Sequence, residues 1–409
     1  MNSPRERLIV LHYSAVWLVP TEIWLFDQVT QQPPWIENHV VCEARRNLER
    51  FSVPNLHCFS EAGALQRYWD KGLRKTRVRA HLGYLVTQAR QIKPQIVHSH
   101  FGNVGWSNHR AVRRLGIPHI VTFYGLDVNR LPTMDARWRK RYKDLFSSVD
   151  RILCEGPHMA RCIVKLGCPE NKVWVHHLGV RIDQLPYCPR RWRPGMPLRI
   201  LIAATFREKK GIPYALAALG AIRPGLALEI TIIGDASPEP GSQTEKARIL
   251  AALETHGLRS SARLLGFRPY EELMKEAYAH HIFLSPSVTA ADGDTEGGAP
   301  VGIIHMAASG MPIVTTRHCD IPNVLPPSVD IAEERDVPGL VRRLRSLIDS
   351  AENSAENSAE NWEAELTQAR RHVEANFDAH VQGLKLAAIY AETAGAPQLA
   401  AGDAVALVS

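Results

Sequence analysis

The sequence predicts an α/β protein of two domains, each built on an open parallel sheet. Three observations predict it: a length of 409 residues, an alternation of short apolar runs with helical stretches, and a Pro- and Arg-rich interruption at 186–197. One hydrophobic core stops growing at about 250–300 residues, so a chain of this length divides into domains. Hydrophobic residues make up 45% and charged residues 22% of the chain, as is typical of globular proteins.

The apolar runs have the length of strands, and their alternation with helical stretches is typical of βαβ units. In the first half they are Leu8–Leu11, His39–Val41, Ile96–His98, His119–Thr122 and Arg151–Cys154. In the second half they are Leu198–Ala203, Glu229–Ile233, Ala262–Leu265, His281–Leu284 and Pro312–Thr315. The pattern predicts an N-terminal domain over 1–185 and a C-terminal domain over 198–350.

The end of the chain has a different pattern. Residues 351–361 repeat a four-residue unit of Ala, Glu, Asn and Ser, which indicates a solvated spacer. Residues 362–394 are predicted to form a helix.

Composition excludes several classes of protein. The seven cysteines form no C-x-x-C pair, which argues against a zinc ribbon, a redox motif or a disulfide scaffold and favours a reducing cytoplasm. Neither secretion nor a membrane span is expected, because there is no cleavage signal and no run of 18 apolar residues.

The two parts of the chain differ in charge. Residues 1–180 carry 26 Lys and Arg against 14 Asp and Glu, whereas the rest carries 23 against 28. This asymmetry predicts an anionic partner for the first half, such as a membrane surface, a lipid diphosphate or a nucleic acid.

The strongest motif is the segment 290–312, which places an acidic, Gly-rich loop between a strand and a helix opened by Pro300. Gly297 and Gly298 allow the backbone to approach a ligand, and the start of the helix favours an anion such as a diphosphate. Glu296 is positioned to accept hydrogen bonds from hydroxyls beside that anion. Phosphate plus polyol describes a nucleotide sugar; the alternative is a generic Gly-rich turn with an exposed glutamate.

A second motif, over 201–214, places Arg207, Lys209 and Lys210 on the loop that follows a strand. Cations there would stabilise the charge that develops on a departing diphosphate, an effect of several kcal/mol in such sites. No metal is then required. The alternative is a solvated, charged loop.

The segment 290–312 resembles the E-x7-E region of glycosyltransferase family 4, and most closely that of members acting in exopolysaccharide assembly, including the colanic acid branch. The resemblance implies that Glu296 contacts the donor sugar and that the second acid position holds the nucleotide ribose. Here eight residues instead of seven separate the two positions, and the second is His305. A carboxylate accepts two ribose hydroxyls but a neutral imidazole accepts one, which predicts weakened or altered nucleotide binding.

The basic loop is similar to the family's G-R-x-x-x-K-K-G motif. Lys210 matches directly, whereas Thr205 stands where the family has arginine, so Arg207 would substitute only by reaching from two residues further along. The donor-binding residues implied by the two motifs are Arg207, Lys210, Glu296, Gly297, Gly298, Ala299, Pro300 and His305.

In the first half, His100 ends a strand, where the family has a histidine near the reacting sugar; a structural histidine is the alternative. The turn Thr122–Asp127 looks like the family's T-x-H-G-x-D, with Tyr124 in place of histidine. The loop 20–24 resembles the family's Ser-Glu-Thr turn only loosely, and capping and packing are its alternative roles. The predicted acceptor-binding residues are Glu22, Trp24, Tyr124 and Asp127, and the predicted catalytic residues are His100, Glu296, Arg207 and Lys210.

Two basic-aromatic stretches, 67–79 and 137–143, account for the charge of the first half. A solvated face is the ordinary explanation, but basic segments with Trp and Tyr also suit an anionic membrane surface where a lipid-linked acceptor is presented. An RNA-binding role lacks any stacking motif, so no nucleic acid is expected.

Taken together, the resemblance implies the GT-B fold, two Rossmann-like domains facing across a cleft, with the final helix crossing back to the first domain. It implies a retaining hexosyltransferase (EC 2.4) that moves a sugar from a nucleotide sugar to a glycan or lipid-linked acceptor, without cofactor or metal. The expected location is the cytoplasm, with peripheral contact at the inner face of the membrane left open. A catalytically degenerate, nucleotide- or glycan-binding scaffold is the alternative, and a dehydrogenase lacks its early G-x-G-x-x-G.

Overall fold

The computed structural model describes residues 7–19, 22–239, 241–353 and 360–399. The chain divides into two compact units. The first unit comprises the chain up to Arg181 together with the segment from Asp378, and the second unit is Ile182–Phe377. Most of the predicted spacer lies outside the described residues.

The first unit contains a seven-stranded sheet in which every pair of neighbouring strands is parallel. Its strand order is β3-β2-β1-β4-β5-β6-β7. The strands are β1 (Leu8–Trp17), β2 (Ile36–Arg45), β3 (Leu56–Cys58), β4 (Ile96–His100), β5 (His119–Phe123), β6 (Arg151–Cys154) and β7 (Val173–Val175).

Helices connect most of these strands, because parallel neighbours need a crossover connection. They are α1 (Ile23–Thr30), α2 (Ala64–Lys75), α3 (Gly83–Ile92), α4 (Gly102–Leu115), α5 (Leu131–Met134), α6 (Arg137–Phe146) and α7 (Pro157–Lys165). A single turn of π-helix at Leu126–Arg130 follows β5. Apolar side chains of β1, β4 and β5 pack on both faces of the sheet, which explains why these strands are continuous hydrophobic runs.

The second unit contains a five-stranded parallel sheet in the order β10-β9-β8-β11-β12. Its strands are β8 (Leu198–Ala203), β9 (Leu228–Ile233), β10 (Ala262–Gly266), β11 (Ile282–Ser285) and β12 (Ile313–Thr315). Its helices are α8 (Ile212–Ile222), α9 (Ser242–Thr255), α10 (Tyr270–Ala279), α11 (Val301–Ala308), α12 (Val337–Asn353) and α13 (Glu360–Phe377). One continuous hydrophobic core joins α8, α9, α12 and α13 to this sheet.

The last described helix, α14 (Ala379–Thr393), belongs to the first unit. Its Leu386 and Tyr390 are fully buried in the same cluster as Val10 of β1. The sequence predicts one helix over 362–394, but the structure has two, because Asp378 leaves the helical conformation and its carboxylate accepts the backbone N–H of Val381 as the cap of α14. Among the described residues, no helix combines the length and apolarity needed to span a bilayer.

The predicted fold class is confirmed, since each unit is an α/β domain with a parallel sheet. All ten predicted strands are present, and the strands within the described ranges that the sequence did not predict are β3 and β7, which have three residues each. In both sheets the strand order reverses between two central neighbours, β1 and β4 in the first and β8 and β11 in the second. Open α/β sheets bind ligands outside the carboxyl ends of strands at such switch points, so a site is expected at these two places.

Candidate active site

The loops after β8 and β11 meet at the switch point of the second sheet. Gly211 ends the first loop with a φ of +62°, and a Cβ on it would lie 1.9 Å from the carbonyl oxygen of Pro286. Only glycine therefore fits where the two loops touch. This contact brings the basic segment 207–210 beside the acidic segment 294–296.

Cations and carboxylates of these loops form a chain of ion pairs. Arg207 contacts Asp294 at 2.7 Å and Glu239 at 2.9 Å, and Lys210 Nζ lies 2.8 Å from Glu296 Oε2. Lys209 lies between the pairs, 3.4 Å from Asp294 and 3.9 Å from Glu296. Three cations therefore face three carboxylates, and the structure brings together the predicted Arg207, Lys210 and Glu296.

Glu296 is held as a buried anion. Burial alone would raise the pKa of its carboxyl, but Lys210, Lys209 and the hydroxyl of Ser287, which donates at 2.8 Å, lower it to about 2. The carboxylate is therefore ionised at any physiological pH and can accept hydrogen bonds from hydroxyls. Lys210 has a side chain 22% exposed and uses one of its three N–H groups on Glu296, so two donors remain for an anion.

Three residues that the sequence missed hold this carboxylate and its neighbours. Asp294 fixes Arg207, and its side chain is 4% exposed. The backbone N–H of Glu296 donates to Nε2 of His318 at 3.1 Å, and Nδ1 of that ring lies 2.6 Å from Glu334. Asp294 stands in the same acidic loop as Glu296, and His318 follows the carboxyl end of β12, so proximity to a strand end was the available signal.

The remaining residues predicted to bind the nucleotide-sugar donor lie in the loop before α11 and on α11 itself. Gly297 has a φ of +80°, and Pro300 precedes the first helical residue as the N-cap instead of opening the first turn. His305 lies on α11 with Nδ1 2.9 Å from the carbonyl oxygen of Val301. Burial lowers the pKa of His305 to about 4, so the ring is neutral, donates through Nδ1 and keeps its lone pair on Nε2. Gly298 is buried and Ala299 is half-buried in the same loop.

The switch point of the first sheet carries a chain of buried hydrogen bonds instead of ion pairs. His100 Nδ1 lies 2.7 Å from the Tyr124 hydroxyl, which donates to Gln28 Oε1 at 3.0 Å. His100 Nε2 lies 3.0 Å from Nδ1 of His12 on the neighbouring strand. Because the Tyr124 hydroxyl donates its hydrogen to Gln28, its oxygen accepts a hydrogen bond from the Nδ1–H of His100. Nε2 of His100 then has no hydrogen and accepts a hydrogen bond from the Nδ1–H of His12. Both ring nitrogens of His100 are thus engaged within the protein.

Burial keeps these rings neutral. It lowers the pKa of His100 well below its usual range and that of His12 to about 4. Asn38 Oδ1 lies 3.0 Å from His12 Nε2 and opposes the effect on the pKa of His12, because only the protonated ring has a hydrogen for Asn38 as well as one for His100. His98, on the same edge, lies 2.6 Å from both Tyr390 and Thr122 through its two nitrogens. The chain therefore joins β1, β4, α1 and the turn after β5 through uncharged groups, and His98 separately joins β4 to β5 and α14.

The predicted acceptor residues lie close to this chain. The ring centroids of Trp24 and Tyr124 are 4.4 Å apart. Asp127 is fully buried, and its carboxylate accepts the backbone N–H groups of Gly102 at 2.6 Å and of Tyr124 at 3.0 Å, so it holds the turn that carries the tyrosine. Glu22 is half-buried just before α1, and burial raises its pKa. Trp24, Tyr124 and His100 therefore lie together, while contact of these residues with an acceptor stays a prediction.

Comparison with known proteins decides the family. Residues 36–184 match the domain described as Glycosyltransferase Family 4, and residues 197–350 match Glycosyl transferases group 1. The chain is 30% identical over 295 residues to the amylovoran biosynthesis glycosyltransferase AmsK of Erwinia amylovora, covering 71% of this chain and 68% of that one. The chain belongs to glycosyltransferase family 4.

Other relatives of this glycosyltransferase agree. It is 29% identical over 310 residues to the putative colanic acid biosynthesis glycosyltransferase WcaL of Escherichia coli, covering 74% of this chain and 71% of that one. Its fold is similar to sucrose-phosphate synthase from Thermosynechococcus elongatus, with a TM-score of 0.71, 14% identity and coverage of 95% and 100% of the two chains. HepE from Anabaena, solved in complex with UDP and glucose, has a TM-score of 0.70 at 14% identity, covering 94% of this chain and all of that one. These neighbours confirm the predicted GT-B class.

Proposed function

We propose that this glycosyltransferase moves a sugar from a nucleotide sugar to a glycan or lipid-linked acceptor in the assembly of an exopolysaccharide, with retention of the anomeric configuration. The observation that carries the donor assignment is the Lys210–Glu296 pair at the switch point of the second sheet. It places an ionised carboxylate and an incompletely used ammonium 2.8 Å apart, which suits a ligand that carries hydroxyls and a diphosphate together.

The proposed chemistry assigns different roles to the two kinds of charge. Lys210 and Arg207 stabilise the negative charge that develops on the leaving diphosphate. Glu296 accepts hydrogen bonds from hydroxyl groups of the donor sugar. These cations supply the stabilisation that a divalent ion provides in other transferases, so we propose that the reaction needs no metal. Activity unchanged by an excess of EDTA is expected, and a rate restored only by added Mg²⁺ or Mn²⁺ would contradict this part.

A donor screen tests the proposal. The pure protein is titrated calorimetrically with UDP-, GDP- and ADP-sugars, and the donor that binds is incubated with lipid-linked or free glycan acceptors. NMR of the product identifies the anomeric configuration. Binding followed by transfer with retention is expected, whereas transfer with inversion would overturn the stereochemical assignment.

A degenerate, nucleotide-binding scaffold would give another result. It would bind a nucleotide sugar but would neither transfer nor slowly hydrolyse it under any acceptor condition. Thr205 and His305 favour that alternative, whereas Lys210, which keeps two N–H groups for an anion beside Glu296, favours the enzymatic role.

We also propose that α2 contacts an anionic membrane surface. Leu65, Tyr68 and Trp69 are 78%, 76% and 65% exposed, and their spacing puts them on one side of the helix. Exposed Lys71 and Lys75 belong to the same helix. An exposed apolar patch rimmed by cations suits the interface of an anionic bilayer.

The other basic-aromatic stretch has a different structure. Tyr142 is fully buried, and the Arg141 guanidinium stacks on the rings of Trp106 and Trp138 at 4.7 and 4.6 Å. Its aromatic residues therefore pack against other side chains of the first unit, and of the two stretches α2 is the one whose aromatic residues are largely exposed.

Vesicle sedimentation tests the membrane contact. The wild type is expected to sediment with phosphatidylglycerol vesicles at low salt but not with phosphatidylcholine vesicles. Changing Tyr68 and Trp69 to Ser should abolish this, while the control Phe267→Ser, at a residue 56% exposed in the second unit, should not. Equal sedimentation of the two variants would remove α2 as the contact.

A further inference from the structure

A basic groove lies on the second unit, away from the candidate active site. Its volume is about 460 Å³, and Arg191, Arg193, Arg199, Glu229 and His281 line it. These residues precede or begin β8, β9 and β11, so the groove lies at the amino ends of the strands. The Lys210–Glu296 pair lies at their carboxyl ends, and the two places are therefore on opposite edges of one sheet.

Two hydrogen-bond donors face each other in this groove. The backbone N–H of Arg199 donates to Nδ1 of His281 at 3.0 Å, so that nitrogen carries no hydrogen. Burial and the Arg199 charge lower the pKa of His281 to about 4, and the neutral ring must carry its one hydrogen on Nε2. Yet a guanidinium nitrogen of Arg199 lies 3.3 Å from that same Nε2. Guanidinium nitrogens cannot accept, so these two N–H groups have no acceptor between them.

The ring is placed to receive a ligand. His281 is only 8% exposed, so its Nε2–H is costly to leave without a partner. A single oxygen of an anion, placed between the imidazole and the guanidinium, would satisfy both donors.

The charges around the groove favour the same ligand. Among the described residues, neither Arg193 nor Arg199 has a carboxylate within 4.0 Å, whereas Arg191 pairs with Glu363 at 2.5 Å. Glu229 is the acidic group in the lining and neighbours Arg199 across the β8–β9 ladder. Positive charge therefore exceeds negative charge in the groove.

We propose that this groove binds an oxyanion, a phosphate or carboxylate carried by a small metabolite, with Arg199 and His281 sharing one of its oxygens. Arg193 adds a second cation, and a volume of about 460 Å³ accommodates a group of monosaccharide size beside the anion. The site is separate from donor binding and does not depend on the proposed transfer.

Equilibrium dialysis with radiolabelled inorganic phosphate at low ionic strength tests the site. Arg199→Gln is expected to weaken binding at least about tenfold, because it removes a charge-assisted hydrogen bond. Arg342→Gln is the matched control, since that side chain is 69% exposed on α12 and lies outside the groove. Phosphate could also enter the candidate active site, so Lys210→Met is measured in parallel and should retain the Arg199-dependent binding.

Glu229→Gln gives a gain-of-function arm. If an anion enters the groove, removing this carboxylate should tighten phosphate binding severalfold. Competition with glucose 1-phosphate and with glucuronate then distinguishes a phosphate from a carboxylate ligand. Equal phosphate affinity in the wild type, Arg199→Gln and Arg342→Gln, with all three proteins folded by circular dichroism, would overturn the proposal. Loss of all binding in Lys210→Met, shown to be folded by the same measurement, would do so as well, and would assign the phosphate to the active site.

Discussion

The switch points of the two sheets occupy the same topological position but hold opposite kinds of chemistry. In the first sheet, His12, His100 and Tyr124 are buried, uncharged and bonded in a chain. In the second, Lys210 and Glu296 are charged and paired, and the lysine remains partly exposed. Each cluster lies where parallel sheets bind ligands, yet of the side chains named here Lys210 is the one with unused hydrogen-bond donors for a ligand.

This difference separates a support from a binding surface. A neutral chain of buried hydrogen bonds adds rigidity, so a change there should affect stability first. A set of paired charges at the rim can exchange partners when an anionic donor arrives, so a change there should affect the reaction first.

The largest expected effect is that of Lys210→Met on the reaction. Removing one preorganised cation from a site of developing charge should lower kcat by about 100-fold or more. It also leaves the buried Glu296 carboxylate without its nearest partner, which should cost roughly 1–3 kcal/mol of unfolding free energy. Steady-state kinetics and urea denaturation measure the two effects.

A double variant separates the two roles of the lysine. Lys210→Met with Glu296→Gln should recover stability, because the uncompensated charge is gone, but should remain inactive. Lys275→Met, at an exposed position on α10, is the control and should change neither quantity. Activity that recovers together with stability would make the pair a structural element only.

In the first sheet, Tyr124→Phe should have its main effect on stability. The lost hydroxyl leaves a hydrogen of His100 and an oxygen of Gln28 without partners in a buried place, at a cost of about 1–3 kcal/mol. Urea denaturation should show this loss, while Tyr68→Phe, at a residue 76% exposed, should be neutral. A stable variant that has lost activity would instead place the hydroxyl in the reaction.

A fall in pH should have opposite effects on the unfolding free energy through His12 and through Asp127, two titratable groups at the first switch point. His12 has its pKa lowered from 6.5 to about 4, so the unfolded chain binds its proton first and stability falls as the pH drops through that window. Asp127 has its pKa raised from 3.8 to about 6, chiefly by burial, so the folded protein binds that proton first and gains stability over the same range.

Variants of these two residues should therefore change, in opposite directions, how steeply the unfolding free energy falls with decreasing pH. Between pH 6.5 and 4, His12→Gln should reduce the loss of unfolding free energy, and Asp127→Asn should increase it. Denaturant titrations at several pH values measure both slopes. Slopes that move together would show that the two groups do not titrate separately from the rest of the unit.

The smallest effect is expected at His305, in the second unit. A glutamate there can accept two ribose hydroxyls instead of one, so His305→Glu should tighten nucleotide binding by roughly tenfold. His380→Glu, at an exposed position of α14, controls for added negative charge. Unchanged affinity by calorimetry would exclude His305 from the ribose site.

Sequence reasoning recovered the fold because the signals were local. Apolar runs such as Ile96–His98 must be strands buried on both faces, and the linker at 186–197 stopped the alternation. Strands β3 and β7 were not predicted, because three residues are too few to show a hydrophobic periodicity. The break between α13 and α14 at Asp378 was not predicted either, since a capping aspartate within a helical pattern looks the same in sequence as an exposed aspartate on one continuous helix.

Local motifs also predicted part of the cluster at the second switch point. Glu296 and Lys210 stand in motifs, whereas Asp294 and His318 matter through contacts that only the folded chain makes. His12 lies in the middle of a strand, and its partner His100 is 88 residues away, so no spacing rule joins them. The roles of the predicted residues in catalysis and acceptor binding stay predictions.

The position of α14 has a consequence for synthesis on the ribosome. The second unit needs only a continuous stretch of chain, but the first unit includes the segment from Asp378, and the buried Tyr390 bonds to His98. The first unit therefore cannot complete its core, in which Leu386 and Tyr390 pack against β1, until the segment from Asp378 has been translated. We expect the domain that emerges second to be the first to finish folding.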